Sequence, residues 1–193
     1  MSGAGHDHGT EHGGPENRKI ALLISVLALV LAFSETLGKG AQTAALNYNV
    51  EASNLWAFFQ AKTIRLTTLR TAAEALEADL ARVTRARAKG AMEKRIADWR
   101  KTAARYETEP ETREGRKELS ERAKEAEKKR DRSLAAYHHY EFSSAALQLA
   151  IVLASANVIT GVAFLLWGSV GLGVAGAIFT LIGLLAPTSV HLF

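Results

Sequence analysis

The side chains here that can do acid–base or metal chemistry fall into four small groups. The first is a leader reading HDHGTEHGG, which sets His6, His8 and His12 beside Asp7 and Glu11. Imidazole is a good ligand for Zn²⁺, Ni²⁺ or Cu²⁺. Gly-rich flanks leave such a segment disordered, so no preformed metal site is expected. The second group is His138 with His139. Neighbouring helical positions point about 100° apart, so both rings cannot hold one ion from the same helix. With Tyr137, Tyr140 and Phe142 they read as an interfacial belt, where amphipathic rings suit the headgroup layer. The third group is polar and lies inside apolar runs: Glu35 near the end of one, Gln148 and Asn157 within another. An intramembrane acid is a functional candidate by default, whereas two amides without ionisable company are better explained by hydrogen bonds between helices. The fourth is NYNVEASNLWAFFQAK at 47–62, where amides and aromatic rings crowd together.

None of these groups makes a catalytic constellation. The chain has no Gly-rich phosphate loop, no His-Glu-x-x-His, no nucleophile elbow and no pair of carboxylates in an apolar pocket. With no cysteine, disulfides, thiolate nucleophiles and Cys-based metal sites are excluded. The basic stretch EAEKKRDR is interleaved with acids and lacks stacking rings, which disfavours nucleic acid as a partner. The expectation is a protein that is not an enzyme and uses no cofactor.

The elements that carry these groups show in how charge and apolarity separate. Apolar residues crowd 20–37 and 145–186 of the 193-residue chain, and the charge lies between. Two of the 24 basic and four of the 20 acidic residues lie at or before Glu35, which leaves the insert net positive by six. Such an excess suits anionic headgroups or an acidic partner, and equally an ordinary solvated helix. The first run is roughly 27 Å long as a helix, enough to span a bilayer. Its leader is acidic and no small-x-small cleavage site follows, so it reads as an uncleaved anchor. The second run is about twice a single span and reads as a membrane hairpin.

The expected organisation is therefore a leader (1–19), a first transmembrane helix (20–38), a charged stalk (39–142), two further transmembrane helices (143–167 and 170–186) and a tail (187–193). The break between the last two is placed at the Gly-rich WGSVGLG, 167–173. Gly171 with Ala175 and Gly173 with Ala177 put small residues four apart, which lets backbones approach closely in lipid. Lys39 and six basic residues between 122 and 132 lie on the insert side, against Arg18 and Lys19 on the other. That asymmetry favours a cytoplasmic stalk.

The stalk reads as helix throughout, rich in Ala, Leu, Glu, Arg and Lys. Apolar residues recur in steps of four and three: Leu69, Ala73, Leu76, Leu80, Val83; then Met92, Ile96, Trp99, Ala103, Tyr106; then Leu119, Ala123, Ala126. This is a coiled-coil-like seam. Gly90 is the natural hairpin tip and gives arms of matching length, with a kink or short break near Pro110 and Thr108 capping the restart. A reversal at 107–115 is the alternative. The fold class is all-α: three transmembrane helices with a long helical-hairpin insert between the first and second.

On a helix, Tyr48, Ala52, Leu55 and Phe59 share one stripe, while Trp56 and Phe58 lie to its sides. A helix apolar on several sides has several neighbours. Asn49, Ala52, Ser53, Leu55, Trp56, Phe58, Phe59, Gln60 and Lys62 are thus read as a packing collar against the returning arm and another subunit. The stretch NVEASNLWAFFQAK also resembles the signature of a bacterial membrane family, domain of unknown function 4337, through Asn49, Ala52, Ser53, Trp56, Ala57 and the run Phe58 to Lys62. That resemblance implies a polar leader, one span, a charged helical insert, two closing spans and an inner-membrane location. It implies no activity. The expected role is a self-assembling scaffold or accessory subunit of a membrane complex, its partners being the lipid bilayer, further copies and other subunits. A small channel or ion carrier using Glu35, Gln148 and Asn157 is the alternative, and a lipid-binding or membrane-shaping protein is a third reading.

Overall fold

The computed structural model describes residues 15–189. The expectations for His6, His8 and His12, and for the end of the tail, lie outside the described residues. Among those described there are four helices and no strand: α1 (Pro15–Leu80), α2 (Ala86–Glu107), α3 (Arg116–Thr160) and α4 (Ala163–Leu185). Three of them, α1, α3 and α4, are long and apolar enough to cross a membrane. No break separates the apolar and charged parts of α1 or α3, so the boundaries read at 38/39 and 142/143 are changes of composition inside continuous helices. The chain forms two compact units, one joining the residues up to Gln42 with those from Ser133, the other running Thr43–Arg132.

In the first unit Leu27 of α1 packs on Leu147 and Ala150 of α3. Glycine lets α4 come close: a Cβ at Gly173 would meet the Leu27 side chain at 2.6 Å, at Gly176 the Leu147 side chain at 2.6 Å, and at Gly183 the Tyr140 ring at 2.9 Å. Three buried serines join the helices through backbone carbonyls. Ser34 donates to Tyr140 O (3.1 Å), Ser143 to Gly176 O (2.7 Å) and Ser169 to Ala150 O (2.7 Å). Lipid tails are as apolar as Leu, so close packing and hydrogen bonds of this kind are what hold such helices together.

The expected break at 167–173 is corrected here, because Gly168, Gly171 and Gly173 lie inside α4. The chain turns earlier, at 161–162. Gly161 takes φ +69°, a left-handed conformation that costs other residues a Cβ clash. Asn157 closes the turn, its Nδ2 donating to Val162 O at 2.8 Å. The second apolar helix therefore ends at Thr160 and the third starts at Ala163, rather than at 167 and 170. A Gly-rich tract with close neighbours is a packing surface, and the helix runs through it.

In the second unit α2 and then α3 run antiparallel to α1. Along α2, Arg100 pairs with Glu77 and Glu107 with Arg70; along α3, Glu127 accepts from Trp56 and Arg130 reaches Asn49. Partner numbers on α1 fall as numbers on α2 and α3 rise. The seam residues Ala73, Ile96, Ala103, Leu119, Ala123 and Ala126 are all buried.

The reversal is not at Gly90, which lies inside α2 with open space around it. It falls at 81–85, where Val83 and Thr84 are adjacent β-branched residues that propagate a helix poorly. A single exposed glycine costs a helix only about 1 kcal/mol, and Ala88, Lys89, Ala91 and Met92 around it are good helix formers. Residues 108–115 do not reverse the chain either; they interrupt the second arm around Pro110. Thr108 closes α2 there instead of capping a new helix. Gly115 is required at the junction, because a Cβ would strike Glu118 Oε2, the Glu109 backbone N and Thr108 Cα.

Candidate functional site

The collar residues fold inward more than the sequence implies. Ala52 and Leu55 are buried with Leu119, Ala123 and Ala126, and Trp56, Phe58 and Phe59 are half-buried against that core. Trp56 Nε1 donates to Glu127 Oε1 at 2.9 Å, and its ring meets Phe59 edge-on with centroids 5.4 Å apart. Lys62 is buried too. Its ammonium lies over Tyr106 (5.0 Å) and Phe58 (5.4 Å) and 3.6 Å from Glu109. A hydrogen bond from Arg105, with Lys62 close by, holds the Glu109 carboxyl below its ordinary range. Arg116 covers the Phe59 ring at 5.0 Å and donates to Thr63 Oγ1 at 2.9 Å and Glu107 at 3.1 Å. Most of the collar is therefore the unit's own core. Asn49, Ser53 and Gln60 remain exposed.

Of the polar residues in the apolar runs, Asn157 belongs to the 161–162 turn. Glu35 and Gln148 are brought together, Gln148 Nε2 donating to Glu35 Oε1 at 3.4 Å. They share an open groove with Ser34, Gln42, Ser144 and Glu141. The expected belt is split. Phe142 is exposed and Tyr137 and His138 are half-buried, but His139 and Tyr140 are buried in the helix packing. His139 Nε2 lies 3.1 Å from Pro187 O, as donor to it, and its ring stacks on Phe179. Its Nδ1 has no hydrogen-bond partner among the described residues. The reason is helical geometry: a run of five aromatic positions cannot all face lipid, and those on the α4 side are covered.

One surface carries no sequence motif. Within the second unit, the face of α1 roughly opposite the seam carries Leu46, Val50, Ser53, Ala57, Ala61 and Ile64, and continues as Thr68, Thr71 and Ala75. All are exposed. The steps are four, three, four, four, three, four, three and four, the period of a straight helical stripe. Leu46, Val50 and Ile64 expose 62%, 58% and 67% of their surface, which for aliphatic side chains in a charged unit marks an unsatisfied face. No charged residue stands on the stripe; Glu51, Arg65 and Glu74 flank it. Around Ile64 it forms a shallow groove with Thr67 and Thr71. Thr67 and Thr68 donate to carbonyls one turn back at 2.9 Å, so their hydroxyls need no outside partner. The signal is present in the sequence as a charge-free 3.6-residue period, masked by the stronger seam on the opposite face.

The comparisons with known proteins give one finding. A family model described as "Domain of unknown function (DUF4337)" matches residues 16–186. No curated protein and no solved structure matches the chain.

Proposed function

The chain belongs to the DUF4337 family, and from that premise we propose that it is a non-enzymatic bacterial inner-membrane protein that self-assembles and serves as a scaffold or accessory subunit of a membrane complex. The observation that carries this reading is the exposed, uncharged face of α1 in the second unit. A water-facing helix that has satisfied one apolar seam and still exposes Leu46, Val50 and Ile64 is built for a further neighbour. The excess of Lys/Arg at the two ends of the insert, Lys39 and six residues between 122 and 132 against Arg18 and Lys19 in the leader, supports a cytoplasmic second unit. Sizing of the full chain in mild detergent and in lipid nanodiscs tests it: an assembly of two or more copies is expected, and a single copy at every protein-to-lipid ratio overturns it.

The Glu35–Gln148 pair supports a second reading, a small oligomeric channel or ion carrier. A carboxylate in an open polar groove at the edge of an apolar segment is a group that ions can use. Conductance in reconstituted liposomes that disappears in Glu35→Ala favours that reading; flux equal to empty liposomes removes it.

A further inference from the structure

We infer that the uncharged stripe of α1 is a homotypic contact, packed in parallel and in register against the same stripe of a second copy of this chain. This rests on the self-assembly reading and adds to it the residues, partner and symmetry of the contact.

Direction comes first. The stripe and the first membrane-capable segment lie on one uninterrupted helix. Copies inserted alike therefore run their α1 helices the same way, and a closed pair of such copies is related by a twofold axis. In that arrangement every residue on the axis meets its own counterpart. A charge there would face an identical charge, which costs free energy. An unlike partner would impose no such ban. The stripe obeys it over nine positions, while Glu51, Arg65 and Glu74 stand to its sides.

Packing comes next. Ser53, Ala57 and Ala61 place small residues at the middle of the stripe, so two helices can approach closely there. Leu46 and Val50 before these residues and Ile64 after them supply the apolar bulk, and Thr68, Thr71 and Ala75 complete the stripe. The stripe spans about 30 residues, roughly 45 Å. With a contact strip about 10 Å wide, each copy buries about 450 Å², or some 900 Å² for the pair, close to the ~1,000 Å² that a specific interface needs. Such an area is marginal between molecules free in solution. Two copies held in one bilayer have already lost most of their orientational freedom and share a high effective concentration, which lowers the cost of association. A second copy is thus the occupant that direction, charge and area all fit.

The chain has no cysteine, so a single introduced thiol reports one position without background. Single-Cys variants at Ser53, Ala57, Ala61 and Ile64, and at the flanking Glu51, Arg65 and Glu74, are oxidised in the full chain in native membranes. A disulfide needs Cα atoms within about 7 Å, so positions on the axis are expected to give covalent dimers several-fold more readily than those beside it. Yields that are uniform, or that peak at the flanks, overturn the inference. The copy number of each variant is measured in parallel by native mass spectrometry. Multi-copy assemblies without the periodic disulfide pattern overturn this contact alone; single copies throughout overturn it together with the self-assembly reading.

Discussion

Leu119→Ala separates the seam from everything around it. Leu119 has no exposed surface and is packed among Ala52, Leu55, Ala123 and Ala126. The substitution removes three carbons, a transfer loss of about 2.4 kcal/mol at roughly 0.8 kcal/mol per carbon. A cavity term adds to this. Three of the four other buried members of this core are alanines, which have no rotamer with which to fill the hole, so the total is expected at about 3–4 kcal/mol. That shifts the opening equilibrium of the second unit by on the order of 100- to 1,000-fold. Hydrogen exchange on the full chain in nanodiscs reads it directly. Amides of 45–66 and 116–130 should exchange faster by about that factor, while those around Leu147 and Gly176 in the other unit keep their rates. Glu121→Ala, at an exposed position, should change nothing beyond about 0.5 kcal/mol. Unchanged exchange at 116–130 in Leu119→Ala, or equal acceleration in both units, would refute the assignment of this core.

Three further outcomes follow from other contacts. Gly176→Ala brings a Cβ to 2.6 Å from Leu147 and 3.1 Å from the Ser143 carbonyl, so a loss of about 1–3 kcal/mol is expected; Gly171→Ala, inside α4 but in open space, should not lower the melting temperature in detergent and, by helix propensity, should raise it slightly. Gly115→Ala meets the backbone of Thr108 and Glu109 as well as the Glu118 side chain, so a similar loss should appear as faster exchange confined to the α2–α3 junction. The Glu109 carboxyl sits below its ordinary range because of Arg105 and then Lys62. Its stabilising contribution is complete above the unfolded value of about 4.3 and is lost as pH falls through the lower folded value. Circular-dichroism melts from pH 7 to 3 should show that loss, and Glu109→Gln should reduce it.

The sequence made the large features legible because their physics is periodic. Apolar length located three helices able to cross a membrane, and the four–three rhythm from Leu69 to Ala126 marked residues that do face inward. Breaks were less legible, since a glycine does not state its use. Gly161, which supplies a left-handed turn, reads simply as Gly in an apolar tract, whereas Gly173 reads both as part of a break and as a small residue for close approach, and it supplies only the second. Gly90 is the more conspicuous helix breaker, but Val83 and Thr84, whose effect on a helix is milder, stand where the chain reverses. The collar reads as packing against the returning arm and another subunit, and the structure puts most of it against α3 of the same unit. Trp56, Phe58 and Phe59 meet the same unit's α3 and its surroundings, so changing them to Ser should loosen that unit rather than simply separate one copy from another. The outward stripe is less legible because its signal is an absence of charge, not a motif.

The most direct test of self-association through α1 is native mass spectrometry of the full chain released from its own membranes, for the unaltered protein and for an Ala57→Glu, Ile64→Glu variant. Both positions are exposed, so the fold should tolerate the change while like charges meet across the twofold. The expected result is a multiple of the chain mass for the first and a single chain for the second. The same copy number in both, whether one or several, would contradict the claim.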